Sequence, residues 1–188
     1  MEAFSDGVIA ILITIMVLEL HAPEDVRWRA LQPVLPVFLA YVLSFIFLGI
    51  YWANHHHMLQ LAERVNGGIL WANLHLLFWL SLIPFVTEWM GEHHDASAPT
   101  ALYGIVLLCA GAAYTILQRA LIREQGPGSR LAAAVGIDVK GLTSVAVYAV
   151  AISVAFYRPA ISDVLYASVA LLWLVPDRRI ERTIREQR

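Results

Sequence analysis

Histidines and carboxylates are the side chains of this sequence that could hold a metal ion. Three histidines stand in a row at 55–57, and a second group, His93-His94-Asp95, follows later in the chain. Consecutive residues of a helix point about 100 degrees apart, so three in a row cannot hold one ion from a single face. A helical metal motif needs two histidines four residues apart with a carboxylate beside them, and neither group provides it. We therefore predict no metal site, and a membrane metalloenzyme is the weakest alternative.

Ionisable residues of the apolar segments lie near the ends of those segments. They are Asp6, Glu19, His55, His56, His75 and Glu88. A charge at the centre of a membrane-spanning helix costs about 2.5–3.5 kcal/mol, and ion-coupled transporters place a carboxylate there despite that cost. We find no such central charge, so a small secondary transporter, or a proton- or cation-coupled carrier, is the alternative and not the first interpretation. Neither Ser81 nor Ser153 has a base near it in sequence, so we predict no enzyme activity.

The segments between these polar residues are long and apolar. Of the 188 residues, 59% are hydrophobic and 15% are charged, and the mean hydropathy is +0.64. A soluble domain is typically about 45–50% apolar and 25% charged. The net charge of −2 gives no reason to expect a nucleic acid as partner, and the single Cys109 cannot build a disulfide framework. The sequence predicts an all-α integral membrane protein whose surroundings are the lipid bilayer.

Six apolar segments predict six transmembrane helices in a single domain, residues 1–188. The predicted helices cover roughly 4–21, 31–61, 69–90, 100–121, 141–157 and 160–175. Gly126-Pro127-Gly128 and Arg158-Pro159 interrupt the apolar pattern, and Pro176 ends the last helix before a basic tail.

The basic residues predict the orientation of these helices. With six crossings, ten lysines and arginines fall on the side of the two termini and three on the other side. The ten are Arg64, Arg119, Arg123, Arg130, Lys140, Arg178, Arg179, Arg182, Arg185 and Arg188, and the three are Arg27, Arg29 and Arg158. Basic residues concentrate in cytoplasmic loops, so we predict an inner-membrane protein with both termini in the cytoplasm.

The first segment carries a recognisable pattern. It opens with Phe4-Ser5-Asp6 followed by Gly-Val, Ala-Ile and Thr, and it closes with Val17-Leu18-Glu19. This pattern resembles the first helix of the transmembrane protein 175 family, the lysosomal potassium channels and their bacterial relatives. The resemblance extends through 52–56, 73–85 and 175–179, and it implies one six-helix repeat where animal members have two. The family usually has a basic residue four positions before the phenylalanine, a place that falls before Met1.

The resemblance implies a potassium-selective cation channel, formed as a homotetramer around four copies of the first helix. Permeant potassium ions would be its only small-molecule partner, with no cofactor. The family's tripeptide hydrogen-bonds inward to polar residues of the second and third helices. In this chain the tripeptide is Phe4, Ser5 and Asp6, and the matching partners are Trp52, Asn54, His55 or His56, and Asn73.

One stripe of the first helix is the predicted pore lining. At about 100 degrees per residue, Gly7, Ile11, Thr14, Ile15 and Leu18 fall within about 100 degrees of one another, and Asp6 lies about 140 degrees from Ile11. The family lines its pore with this helix, so the resemblance implies an apolar constriction at Ile11, Ile15 and Leu18, with the Thr14 hydroxyl at its edge. The sequence has no Thr-Val-Gly-Tyr-Gly filter, so selectivity must come from something other than a ring of carbonyl oxygens. The resemblance implies that dehydration at the apolar constriction provides it.

Overall fold

The computed structural model describes residues 1–62, 64–126, 128–135 and 138–174, and these ranges contain helices and turns but no strand. Within them lie eight α-helices. They are α1 (Glu2–Met16), α2 (Leu35–Gln60), α3 (Gly67–Ser81), α4 (Ile83–Glu92), α5 (Ser97–Gln125), α6 (Arg130–Val135), α7 (Val139–Ala155) and α8 (Pro159–Leu174). The predicted end of the last helix at Pro176 and the basic tail lie outside the described residues.

Helix α1 packs one face onto the rest of the chain. Ser5, Ile9, Leu12 and Met16 are buried, and their spacing of three or four residues places them on one side of a helix. That side contacts α2, α3 and α4. The helix ends at Met16, where a single 3-10 turn, Val17–Glu19, continues the chain without any buried residue. The observed helix, Glu2–Met16, is therefore shorter than the predicted helix over 4–21.

Prolines set two boundaries that the apolar pattern did not show. The predicted helix over 31–61 begins at Leu35, because Pro36 has no N–H group to donate to Gln32 and is tolerated only in the first turn of a helix. The predicted helix over 69–90 is divided at Leu82 into α3 and α4, with Pro84 in the first turn of α4. The ring of a proline clashes with the carbonyl four residues earlier, which breaks a continuous helix.

Helix α5 lies at the centre of the bundle and packs against α3, α4, α7 and α8. A Cβ atom at Gly104 would collide with the Tyr166 hydroxyl and would lie 2.8 Å from Ile152. This close approach buries Tyr166, whose hydroxyl donates a 3.0 Å hydrogen bond to the carbonyl of Thr100. The helix ends at Gly126, which has a φ of +88° and leaves the helical conformation. The loop predicted to follow contains the short α6.

Three apolar segments of the described chain are long enough to cross a membrane: Leu35–Gln60, Gly67–Glu92 and Ser97–Gln125. Helices α7 and α8 are also apolar but shorter. The exposed surface carries many large apolar side chains, including Trp71, Leu142 and Val164, as expected where lipid replaces water around a protein.

Candidate functional site

The face of α1 opposite its buried side is uncovered and apolar. The exposed fractions are 59% for Phe4, 57% for Ile11, 40% for Ile15 and 72% for Leu18, whereas Ile9 is fully buried. Gly7 and Thr14 lie exposed on the same face, and a side chain added at Gly7 would meet no atom within 4 Å. The structure thus leaves Ile11, Thr14 and Ile15 of α1, and Leu18 of the 3-10 turn that follows, uncovered by any other part of the described chain.

The hydroxyl of Thr14 is the polar group of this face. It donates a 2.9 Å hydrogen bond to the carbonyl oxygen of Ile11, one turn earlier. A hydroxyl that donates its proton to the backbone keeps two lone pairs for other groups. Thr14 can therefore offer an oxygen to a cation without leaving a donor unsatisfied.

A buried polar cluster holds the start of α1 against α2 and α3. The amide nitrogen of Asn73 donates a 2.9 Å hydrogen bond to Ser5 Oγ, and the Asn73 Oδ1 atom accepts one of 2.7 Å from His55 Nε2. Ser5 and His55 are fully buried, and Asn73 is 2% exposed. Buried polar groups stabilise a fold only when they are hydrogen-bonded, so this cluster fixes the position of α1.

A second polar group lies beside this cluster. His56 Nδ1 lies 3.0 Å from Glu2 Oε1 and 3.8 Å from Asp6 Oδ2. The His56 ring stacks on Trp52, with a centroid distance of 5.7 Å and an interplanar angle of 24°. Asp6 therefore faces α2, on the side of α1 away from its uncovered face.

One tripeptide residue, Phe4, and one of its expected partners, Asn54, lie outside these clusters. Asn54 donates its side-chain amide to the carbonyl of Ile50 in its own helix, and its own carbonyl accepts a hydrogen bond from Tyr114. It therefore has no hydrogen bond to the tripeptide. Phe4 belongs to the uncovered face instead of pointing inward.

Sequence analysis also missed two carboxylates. Glu2 lies one turn before Asp6, and this spacing places both carboxylates on one face of α1. The sequence alone could have indicated this pairing. Asp163 lies in α8, and its Oδ1 atom is buried with no hydrogen-bond partner among the described residues.

These features define an all-helical membrane protein in which one face of α1 is packed against the neighbouring helices and the opposite face is apolar and uncovered. The family described as endosomal/lysosomal potassium channel TMEM175 matches residues 1–84. A protein of Chryseobacterium sp. (strain P1-3) named as a potassium channel is 54% identical over 186 residues, which are 99% of this chain and 97% of that protein. The chain belongs to the TMEM175 family, and the resemblance seen in its first helix is confirmed.

A solved structure and an animal protein extend this relationship. The fold matches the crystal structure of a lysosomal potassium-selective channel TMEM175 homolog from Chamaesiphon minutus, with a TM-score of 0.76 and 25% identity, over 93% of this chain and 94% of that one. The human endosomal/lysosomal proton channel TMEM175 is 41% identical over 69 residues, which are 30% of this chain and 14% of that protein. The all-helical class predicted from the sequence is also confirmed.

Proposed function

We propose that this chain is a potassium-selective channel in which four subunits surround a pore lined by α1. The main support for the proposal is the uncovered apolar face of α1, which lies opposite the face that packs against α2, α3 and α4. A helix fixed to its own subunit on one side is suited to present its other side to an axis. The related Chryseobacterium and Chamaesiphon proteins are named as potassium channels, which favours a pore over a lipid-facing surface.

The pattern of residue sizes on this face also favours a pore. Small residues alternate with large ones: Ala3, Gly7, Ala10 and Thr14 are all exposed, and they lie beside the exposed Phe4, Ile11, Ile15 and Leu18. Small residues permit close approach of membrane helices. Four copies of α1 could therefore meet along the small residues while the large ones fill the axis.

In the proposed topology each subunit crosses the inner membrane six times, with both termini in the cytoplasm. The crossings are α1, α2, α3 together with α4, α5, α7 and α8. Helix α7 has 17 residues and α8 has 16, near the lower limit of about 17 for a spanning helix. The ten-to-three distribution of basic residues supports the cytoplasmic placement of the termini.

The proposed selectivity comes from partial dehydration at the constriction. A narrow pore walled by Ile11, Ile15 and Leu18 tends to lose its water, so an ion must shed part of its hydration shell to pass. Potassium sheds water more readily than the smaller sodium ion, which gives a modest preference without a carbonyl filter. Thr14 supplies an oxygen at the edge of this apolar wall. No cofactor is needed for such passive conduction.

The alternative is a proton- or cation-coupled carrier, and Asp163 is the observation that favours it. Carboxylates inside membrane segments mark ion pathways in many transporters. A carrier would show saturable flux coupled to a second ion, whereas a channel would show passive flux along the potassium gradient alone.

The test is ion flux into liposomes that contain the purified full chain, under separate potassium, sodium and proton gradients. We expect potassium flux to exceed sodium flux. Ile11→Asn should keep the tetramer, raise the flux and reduce the preference for potassium. Val150→Asn is the matched control, since Val150 is an exposed apolar residue of α7 and should leave the selectivity unchanged. If polar substitutions at Ile11, Ile15 and Leu18 all leave flux and selectivity unchanged, α1 does not line the pore.

A further inference from the structure

Three metal-binding side chains converge where α1 begins. Glu2 and Asp6 lie one turn apart on α1, and His56 faces them from α2. Their ligand atoms all lie within 4.8 Å of one another. We propose that Glu2, Asp6 and His56 form a binding site for a divalent transition-metal ion such as Zn²⁺, which bridges α1 and α2.

The distances suit such an ion. Zinc bonds to imidazole nitrogen and carboxylate oxygen are about 2.0–2.2 Å long, and tetrahedral geometry then separates two ligand atoms by about 3.4 Å. The two separations from His56 Nδ1 are 3.0 Å to Glu2 Oε1 and 3.8 Å to Asp6 Oδ2. They bracket that value, so small rotamer adjustments would complete the geometry. Three protein ligands leave a fourth position for water.

Two polar atoms of this group have no hydrogen bond within the described part of the chain. Asp6 Oδ1 and His56 Nδ1 are both inaccessible to solvent and have no hydrogen bond to any described residue. The contact between His56 Nδ1 and Glu2 is close enough for an ion pair but is not aligned as a hydrogen bond. Two carboxylates one helical turn apart also repel each other. A cation bound to His56 Nδ1, Glu2 Oε1 and Asp6 Oδ2 would give Nδ1 a partner and reduce the repulsion between the carboxylates.

The neighbours of His56 orient its ring for metal binding. Its other nitrogen, Nε2, lies 2.8 Å from the side-chain amide of Gln60, and Trp52 stacks against the ring. The oxygen and nitrogen of an amide exchange places by a simple rotation. With its oxygen toward Nε2, Gln60 accepts the Nε2 proton, and Nδ1 then directs a lone pair at the two carboxylates. Hydrogen bonds of this kind commonly fix metal-binding histidines.

The side chains are partly open to solvent, which allows an ion to enter. The exposed side-chain fractions are 43% for Glu2 and 29% for His56. Imidazole together with carboxylates favours zinc and other first-row metals over potassium or magnesium. The site lies on the anchored side of α1, away from the uncovered face, so it is separate from the proposed pore. Its existence does not depend on the channel function.

Zinc titration of the full chain in detergent tests the proposal through metal content and thermal stability. Because an ion that binds the folded state raises its stability, we expect zinc to raise the melting temperature of the original protein, with one ion bound per subunit. Glu2→Gln and His56→Gln should each weaken zinc binding by at least about tenfold. His57→Gln is the matched control, since His57 is the exposed neighbour of His56, and it should bind zinc normally.

Two results would overturn the site. One is an original protein that binds no zinc at this stoichiometry, and the other is an equal zinc affinity for Glu2→Gln and His57→Gln. The contact would then be an ion pair between protonated His56 and the carboxylates. Glu2→Gln alters a partly exposed side chain in the first turn of α1, so it remains informative even if His56→Gln fails to fold. Neither measurement uses ion flux, so failure of this site leaves the channel proposal untouched.

Discussion

The side-chain amide of Asn73 donates a 2.9 Å hydrogen bond to the hydroxyl of Ser5, and both side chains are buried. This bond joins α3 to the second turn of α1, and the same Asn73 side chain accepts from His55 on α2. One residue therefore connects three helices. The position of α1 depends on this connection because the other contacts of its buried face are apolar and less directional.

Loss of the Ser5 hydroxyl should destabilise the subunit. Ser5→Ala leaves one donor of the Asn73 amide buried without its partner, which costs about 1–3 kcal/mol. We expect a lower melting temperature and weaker assembly, measured by thermal unfolding and size-exclusion chromatography. Ser153→Ala is the control, because the exposed Ser153 hydroxyl bonds only to the carbonyl of Ala149 in its own helix. Equal stability of the two variants would contradict the role given to Ser5.

Removal of the Thr14 hydroxyl should slow potassium flux. Thr14→Val keeps the side-chain shape but withdraws the oxygen that the pore edge offers to an ion. A hydrogen bond to a charged group is worth about 1.5–3 kcal/mol, and 1.4 kcal/mol corresponds to about a tenfold change in rate. We therefore expect about a tenfold lower potassium flux in liposomes. Thr14→Ser should retain most of the flux, and a Thr14→Val protein as active as the original would exclude Thr14 from the ion path.

Helix α5 should tolerate no side chain at Gly104. An added methyl group would collide with Tyr166 and press on Ile152, and overpacking of a core typically costs about 1–3 kcal/mol. Gly104→Ala should therefore lower the melting temperature. Gly49→Ala is the matched control, since a Cβ atom at Gly49 in α2 meets nothing within 4 Å. A Gly104→Ala protein as stable as Gly49→Ala would mean that α5 and α8 can separate without cost.

Cysteine labelling should establish the orientation in the membrane. In the proposed topology the turn after α4 lies outside the cell, and Asp95 in this turn has a side chain that is 93% exposed. Asp95→Cys in a Cys109→Ala background should react with an impermeant reagent in intact cells. Arg130→Cys in the same background should react only in inverted vesicles. The reverse pattern would place both termini outside.

Local geometry explains which parts of the site were predictable. The stripe from Gly7 to Leu18 could be counted from the sequence because the helical period is a property of the backbone, and all its members are exposed together in the structure. Its role in conduction is a proposal, because no described residue of this chain covers the face. The break at Leu82 was missed because a proline late in an apolar run is compatible with either a bend or a new helix.

Contacts between helices explain what the sequence could not show. Asn54, His55 and His56 are consecutive and polar, and only the rotation of α2 about its axis decides which of them meets α1. In the structure His56 faces Glu2 and Asp6 of α1, and His55 bonds to Asn73 of α3. Asn54 turns toward Ile50 and Tyr114. The grouping of Glu2 with His56 was hidden for the same reason, since its members lie far apart in the chain and meet only after packing.

Polar contacts hold α1 only near its start, whereas the rest of its buried face, up to Met16, packs through apolar contacts. Its first two turns are held by Ser5 and Asp6, whereas the 3-10 turn at its other end, Val17–Glu19, has no buried residue. At 1.5 Å per residue, about 20 Å separate Ser5 from Leu18. A tilt of about 5 degrees at the start of α1 would thus move Leu18 sideways by about 2 Å. A change of tilt at the start of α1 would therefore displace Leu18, the most exposed large apolar residue of this segment, more than the residues before it.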